Sequence, residues 1–223
     1  MNHCLEFKNT IIGRNEILIE AINLKINVGT LLIFTGKNGS GKSTLLKTIA
    51  GLLKPLSGEI NYNQKNIHSL SFNERAQLIA YVNTQKTTVE YIKVKELVAL
   101  GRYPFKDKLN IELMVSKSLK QMDIEHLANK YTNEISDGEL QKANIARALA
   151  QNTPIILMDE PSAFLDYPSK KELFSTLKNI AIEQQKIIVC PTHDIELSKA
   201  VGNLFWHLED KKINVSSSQI AWL

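Results

Sequence analysis

Gly36-Lys37-Asn38-Gly39-Ser40-Gly41-Lys42-Ser43 decides the reading of this 223-residue chain. The apolar run Leu31-Leu32-Ile33-Phe34-Thr35 before it reads as a buried strand. Thr44-Leu45-Leu46-Lys47-Thr48-Ile49-Ala50 after it reads as a helix closed by Gly51. Strand, Gly-x4-Gly-Lys-Ser and helix together make a phosphate-binding loop in its confirming context. Glycines let backbone N–H groups turn inward around phosphate oxygens, and the helix N-terminus adds a positive dipole end. Lys42 supplies a mobile charge for the β- and γ-phosphates, and Ser43 offers a hydroxyl to Mg2+. The stretch predicts a bound nucleoside triphosphate.

The rest of the composition sets bounds. A chain of 223 residues is one domain, or one domain carrying a lobe. At that length folding buries roughly 70% of the surface of the unfolded chain, so no staples are needed. Hydrophobic residues at 43% and charged residues at 22% describe an ordinary globule. The net charge of +4 is mild, and Lys37, Lys42 and Lys47 contribute to it in or beside the loop. No run of Lys and Arg is long enough to track a nucleic-acid backbone, so no nucleic-acid partner is expected. Cys4 and Cys190 match neither metal-ligand nor Cys-x-x-Cys spacing and read as reduced thiols. Met1 to Phe7 runs straight into a strand, which leaves no room for a leader, and no apolar run approaches the roughly 18 residues of a membrane span. Work at a membrane would require docking onto something else that spans it.

Residues 4–8, 17–28 and 31–35 read as strands, and Leu18, Ile22, Leu24, Ile26 and Val28 give the period of a half-buried sheet. Pro55 to Gly58 makes a turn into the strand Glu59–Tyr62, and Ile79–Val82 is a further apolar strand leading to Gln85. Helical period then takes over: Val94–Leu100, stopped by Gly101 and Pro104, Ile111–Met122, and Glu139–Ala150. Ile155–Met158 is a run of the kind buried on both faces in parallel sheets. A helix over 169–184 and a strand over 186–190 follow. The pattern predicts an α/β core of residues 1–86 and 153–223, interrupted by a helical lobe at 87–152.

Several residues carry chemistry. The strand Ile155–Met158 ends in Asp159-Glu160, which places an Asp to hold Mg2+ and a Glu to orient and polarise the attacking water. Gln85 stands where a strand gives way to the lobe, and could reach the metal or its water. His193 follows the last buried strand, where an imidazole could bond a γ-phosphate and sense its loss. Singly, a solvated glutamine and a structural histidine are the blander readings of these two. The other histidines (His3, His68, His126, His207) have no constellation around them. Ser136-Asp137-Gly138-Glu139 is a capping box before an amphipathic helix. That explains Ser136 and Glu139 but not Gly138, since glycine at N2 costs up to about 1 kcal/mol relative to alanine. A backbone that something must approach closely would explain it.

In family order these elements resemble an ATP-binding cassette (ABC) ATPase along nearly the whole chain. Gly36 to Thr44 matches the Walker A motif, Gln85 the Q-loop, and Ile135–Glu139 the signature usually written Leu-Ser-Gly-Gly-Gln. Asp159-Glu160 matches the Walker B pair, Ser162–Asp166 the D-loop, and His193 the switch histidine. The resemblance implies a P-loop NTPase core with an antiparallel β subdomain and an inserted helical lobe. It implies ATP and Mg2+ as ligands, with Ser43, Gln85 and Asp159 at the metal and Glu160 and His193 in hydrolysis. It further implies a head-to-tail dimer in which Ser136, Asp137, Gly138 and Glu139 of one subunit close over the other's nucleotide. Gln85 and Asp166 would couple the site to a transmembrane permease, with a substrate-binding protein beyond it. Leu97–Pro104 and Glu160–Asp166 are similar to the ATPases of importers for iron–siderophore, haem or cobalamin, which work from the cytoplasmic face of the membrane.

Two departures stand out. Asp137 and Glu139 replace Gly and Gln in the signature, placing carboxylates near a triphosphate. The aromatic that in the family stacks on adenine is missing; Ile11-Ile12-Gly13-Arg14 stands there, leaving Ile12 or Arg14 as substitutes. The rival functions are a repair or translation ABC protein and a cassette that binds ATP without hydrolysing it. The former carry long insertions or tandem cassettes, and this chain has neither.

Overall fold

Most of the strands and helices of the described residues follow from these patterns. In the computed structural model, residues 3–83, 91–105, 110–192 and 202–217 are described. The first half holds β1 (Cys4–Gly13), β2 (Ile17–Ile22), β3 (Lys25–Asn27), β4 (Thr30–Gly36), α1 (Lys42–Ile49), β5 (Ser57–Tyr62), β6 (Lys65–Asn66), α2 (Phe72–Leu78) and β7 (Ile79–Val82). Then come α3 (Val94–Ala99), α4 (Ile111–Gln121), α5 (Asp137–Gln151), β8 (Ile155–Met158), α6 (Tyr167–Glu183), β9 (Ile187–Pro191), β10 (Leu204–Glu209) and β11 (Lys212–Ser217).

Two sheets result. The larger runs β11-β10-β4-β9-β8-β7, parallel except for β11. The other is antiparallel, β2-β1-β5-β6 with β3 also on β1. Every residue of β8 and β9 is buried, as parallel strands covered on both faces require. One face packs on α3 to α6 through Ala80, Val82, Ile156 and Met158. The opposite face packs on α1 and the antiparallel sheet through Leu32, Phe34, Leu157 and Val189. Trp206 of β10 meets Phe7 of β1 edge to face at 5.5 Å, an arrangement worth about 0.5–1.5 kcal/mol beyond its buried area.

The predicted strand over 17–28 is two strands, broken at Asn23 and Leu24, because β2 and β3 both pair with β1 and must turn to do so. Strand β1 runs on to Gly13, well past residue 8, by switching partners along its length. Helix α2 and the hairpin β10–β11 were not predicted, nor was the short β6. Helix α2 buries no residue fully and so shows no apolar stripe; its capping box, Ser71 with Glu74, is what starts it. The hairpin β10–β11 turns at Asp210-Lys211, both at positive φ. Between α5 and β9, the buried Lys186 donates to Asn152 Oδ1 (2.9 Å) and the Thr153 carbonyl (2.8 Å), tying the end of α5 to the sheet. Burial lowers its pKa to about 8.

Candidate functional site

The parallel strands β4 and β8 deliver two loops to one end of the sheet. After β4 the chain turns through Lys37 to Gly41 and enters α1 at Lys42. Gly41 is the N-cap with φ 101°, and a Cβ there would lie 3.1 Å from Leu18 Cβ, so both conformation and space call for glycine. The first turn of α1 carries no acidic residue, which leaves its N–H groups and dipole end for an external anion. Lys42 is buried and folds back, donating to the carbonyls of Gly36 (2.7 Å) and Lys37 (3.1 Å). Burial lowers its pKa, while Glu160 and Asp159 pull the other way. The Ser40 hydroxyl is buried with no hydrogen-bond partner among the described residues. A buried hydroxyl so left costs about 1–3 kcal/mol, which a phosphate oxygen could relieve.

Asp159 and Glu160 leave β8 beside this loop. The Asp159 N–H donates to the Val82 carbonyl at 2.9 Å, fixing the turn against β7. Burial raises the Asp159 pKa and Glu160 raises it further; a hydrogen bond from Ser43 and the charges of Lys47 and Lys42 oppose them. A carboxylate held in that environment is suited to a cation, and Ser43 is already placed against it. Glu160 sits at φ 47°, a strained conformation of the kind that clusters at functional sites. Tyr81, next to this turn on β7, has its pKa raised to about 12 by burial first and by Asp159 second.

The signature turn is built differently. Ser136 caps α5: its hydroxyl accepts from the Glu139 N–H at 3.3 Å, and Glu139 Oε2 accepts the Ser136 N–H at 2.8 Å and its hydroxyl at 2.7 Å. These bonds lower the Glu139 pKa. Gly138 packs closely on the segment before α6: a Cβ there would lie 3.2 Å from Leu165 Cδ2 and 3.5 Å from the Phe164 carbonyl. Asp166, read as coupling, caps α6 by accepting the Ser169 N–H at 3.0 Å. Gln85 and His193 lie outside the described residues.

The model of the ABC transporter family matches residues 19–163, well over half of the chain. The chain belongs to the ABC transporter family. It is an ATP-binding subunit of that family and an ATPase. An uncharacterized ABC transporter ATP-binding protein of Methanocaldococcus jannaschii is 38% identical over 94% of this chain and 74% of its own length. A petrobactin import ATP-binding protein of Bacillus anthracis is 35% identical over 96% of this chain and 80% of its own. Among solved structures, a dimeric ATP-binding cassette in a post-hydrolysis state, bound to ADP and Pi, matches with a TM-score of 0.82 at 29% identity. That match covers 96% of this chain and 98% of the other.

With the ABC fold in place, one expectation about the base needs correcting. Ile12 is 0% exposed, turned from β1 into the core, and cannot offer a face to adenine. The exposed apolar residue near the loop is Ile17, at 41%. Ile17 and Leu18 line a cleft with the phosphate loop and the β10–β11 turn that sequence reasoning missed. The alternation in Trp206-His207-Leu208 and Lys212–Val215 around Asp210-Lys211 was the signal for that hairpin. His207, set aside in the sequence, bonds Thr35 Oγ1 at 2.8 Å, directly before Gly36.

Proposed function

We propose that this cassette is the nucleotide-binding subunit of an importer for an iron chelate or a related metal chelate. The observation that carries the catalytic part is the convergence of Lys42, Ser43 and Asp159 at one sheet end, with Glu160 beside them. Lys42 exchanges its carbonyl partners for β- and γ-phosphate oxygens, and the N–H groups of α1 hold the phosphates in line. Ser43 and Asp159 would hold Mg2+, which when bound would supply positive charge to offset that developing on the phosphates. Glu160 orients and polarises the attacking water, and His193 bonds the γ-phosphate. Ser136 and Gly138 of a second copy close over the nucleotide.

Residues 87–152 then act as the lobe that, with Gln85, passes closure to a transmembrane permease. The exposed aromatic and aliphatic side chains at Tyr91, Leu100 and Tyr103 lie within that stretch and support docking there. Among the described residues no helix is long and apolar enough to cross a membrane, which fits a peripheral subunit on the cytoplasmic face. The metal-chelate reading rests on the similarity of Leu97–Pro104 and Glu160–Asp166 to such ATPases and on the petrobactin relative.

The test is phosphate release from the complex of this subunit with its permease. Stimulation by a binding protein loaded with a ferric chelate supports the reading. Association with no permease contradicts it, and stimulation only by a metal-free solute contradicts the substrate class.

A further inference from the structure

Glu160 stands in a conformation that its neighbours must enforce. Its φ is 47°, and the next residue is Pro161. A residue before proline settles near a φ of about −120°, so both the sign of this angle and the proline oppose it. Backbone of this kind persists only where its surroundings over-determine it. Hydrogen bonds on both sides do so. The Asp159 N–H donates to the Val82 carbonyl of β7 at 2.9 Å, and the Ala163 N–H donates to the Glu160 carbonyl at 3.2 Å. A further bond comes from outside the turn: Gln141 Nε2 of α5 donates to the Pro161 carbonyl at 3.3 Å.

Gln141 is out of character for its place. It is 4% exposed, and the other buried residues of α5 are all alanine, isoleucine or leucine. A side-chain amide sunk in such a stripe costs free energy unless it is bonded, and its donor goes to the Pro161 carbonyl. Packing alone would be served by leucine or methionine. Nearer its start, α5 meets the same segment again, since a Cβ on Gly138 would lie 3.2 Å from Leu165 Cδ2. Gly138 and Gln141 are three residues apart and share one face of the helix. That face lies along residues 161–165, and the bond from Gln141 falls directly beside Glu160.

We propose that Gln141 is a positioning residue for Glu160: by donating to the Pro161 carbonyl it holds the turn after β8 against α5 and keeps Glu160 in its strained conformation. Gln141 touches neither nucleotide nor water and acts only through that carbonyl. The proposal rests on the reading of Glu160 as the group that polarises the attacking water, and adds what holds it there.

The test compares Gln141→Met, which keeps the length of the side chain and removes its donor, with Ile145→Val, a buried change one turn further along α5. Phosphate release is read from the complex with the permease, ATP affinity by calorimetry on the full chain, and folding by thermal melts. Gln141→Met should lower kcat about tenfold, the loss expected when a buried carbonyl goes unpaired, and leave KM and ATP affinity as in wild type. Ile145→Val should lower Tm without lowering kcat. Adding Gln141→Met to Glu160→Gln should change the residual turnover little, because the carboxylate it positions is gone. An unchanged kcat in Gln141→Met would overturn the proposal. So would a fall that Ile145→Val matches, a loss of ATP affinity in step with kcat, or a second tenfold loss on the Glu160→Gln background. Wild-type turnover by Glu160→Gln alone would instead overturn the reading of Glu160 on which the proposal rests.

Discussion

The phosphate loop and the signature turn are both helix N-termini, and they are finished in opposite ways. At α1 the cap is a left-handed glycine with no side chain to satisfy the helix, Lys42 is buried, and the Ser40 hydroxyl has no partner among the described residues. At α5 the cap is reciprocal: the Ser136 and Glu139 side chains satisfy each other's backbone N–H groups. The first terminus is built with groups left over for a ligand, at a cost in stability. The second is stable by itself. On the proposed function, the first is a binding half and the second a closing half, which a second copy would bring together on the same nucleotide.

The largest expected effect tests the binding half. Lys42→Ala should weaken ATP binding by about 100-fold, because charge-assisted hydrogen bonds contribute ~1.5–3 kcal/mol each. Calorimetry on the monomer reads this directly, and a loss of only a few-fold would mean that the lysine stays on its own carbonyls.

Ser136→Ala should act in the other sense. Losing the cap costs about 1 kcal/mol and lowers Tm by ~3 °C. Nucleotide affinity of the monomer should hold, while hydrolysis by the dimer falls. Equal losses in monomer affinity and dimer turnover would erase the distinction between the two halves.

Asp159 sharpens the comparison through the opposite sign of stability. Burial and Glu160 raise its folded pKa, so the ionised form is disfavoured in the folded protein at neutral pH. Asp159→Asn should raise Tm of the nucleotide-free protein by about 2 °C and remove the Mg2+-dependent part of ATP affinity. Thermal melts with and without Mg2+ check both parts.

The smallest effect belongs to Glu139. Its folded pKa is lowered by the cap, so its contribution is present above the unfolded value of 4.5 and lost as pH falls through the folded pKa. Glu139→Gln keeps a hydrogen-bond acceptor and should flatten the acid limb of the stability curve, with little change at pH 7.

Much of this contrast was legible in the sequence. A buried strand, a glycine loop and a helix are local signals, and the capping box is local too; each survived intact because tertiary context had no reason to override it. The role of Gly138 was only half legible. Sequence said that something approaches its backbone, and the structure names Leu165 and Phe164, 26 or more residues away along the chain. Asp166 has a local role that the motif did not indicate, since its side chain caps α6. The cleft lay beyond reach because three segments far apart in sequence, around residues 17, 38 and 210, meet only after the sheets form. Helix α2 escaped for another reason: a helix with no fully buried residue leaves no periodic stripe to find.

The direct test of the two-halves account is the mass of the Glu160→Gln variant with and without Mg-ATP, read by light scattering on a sizing column. The account predicts a 25.1 kDa monomer without nucleotide and a stable species of twice that mass with it, reverting to monomer when Ser136→Ala is added. A Glu160→Gln protein that stays monomeric on saturating ATP, or that still turns it over at the wild-type rate, would contradict it.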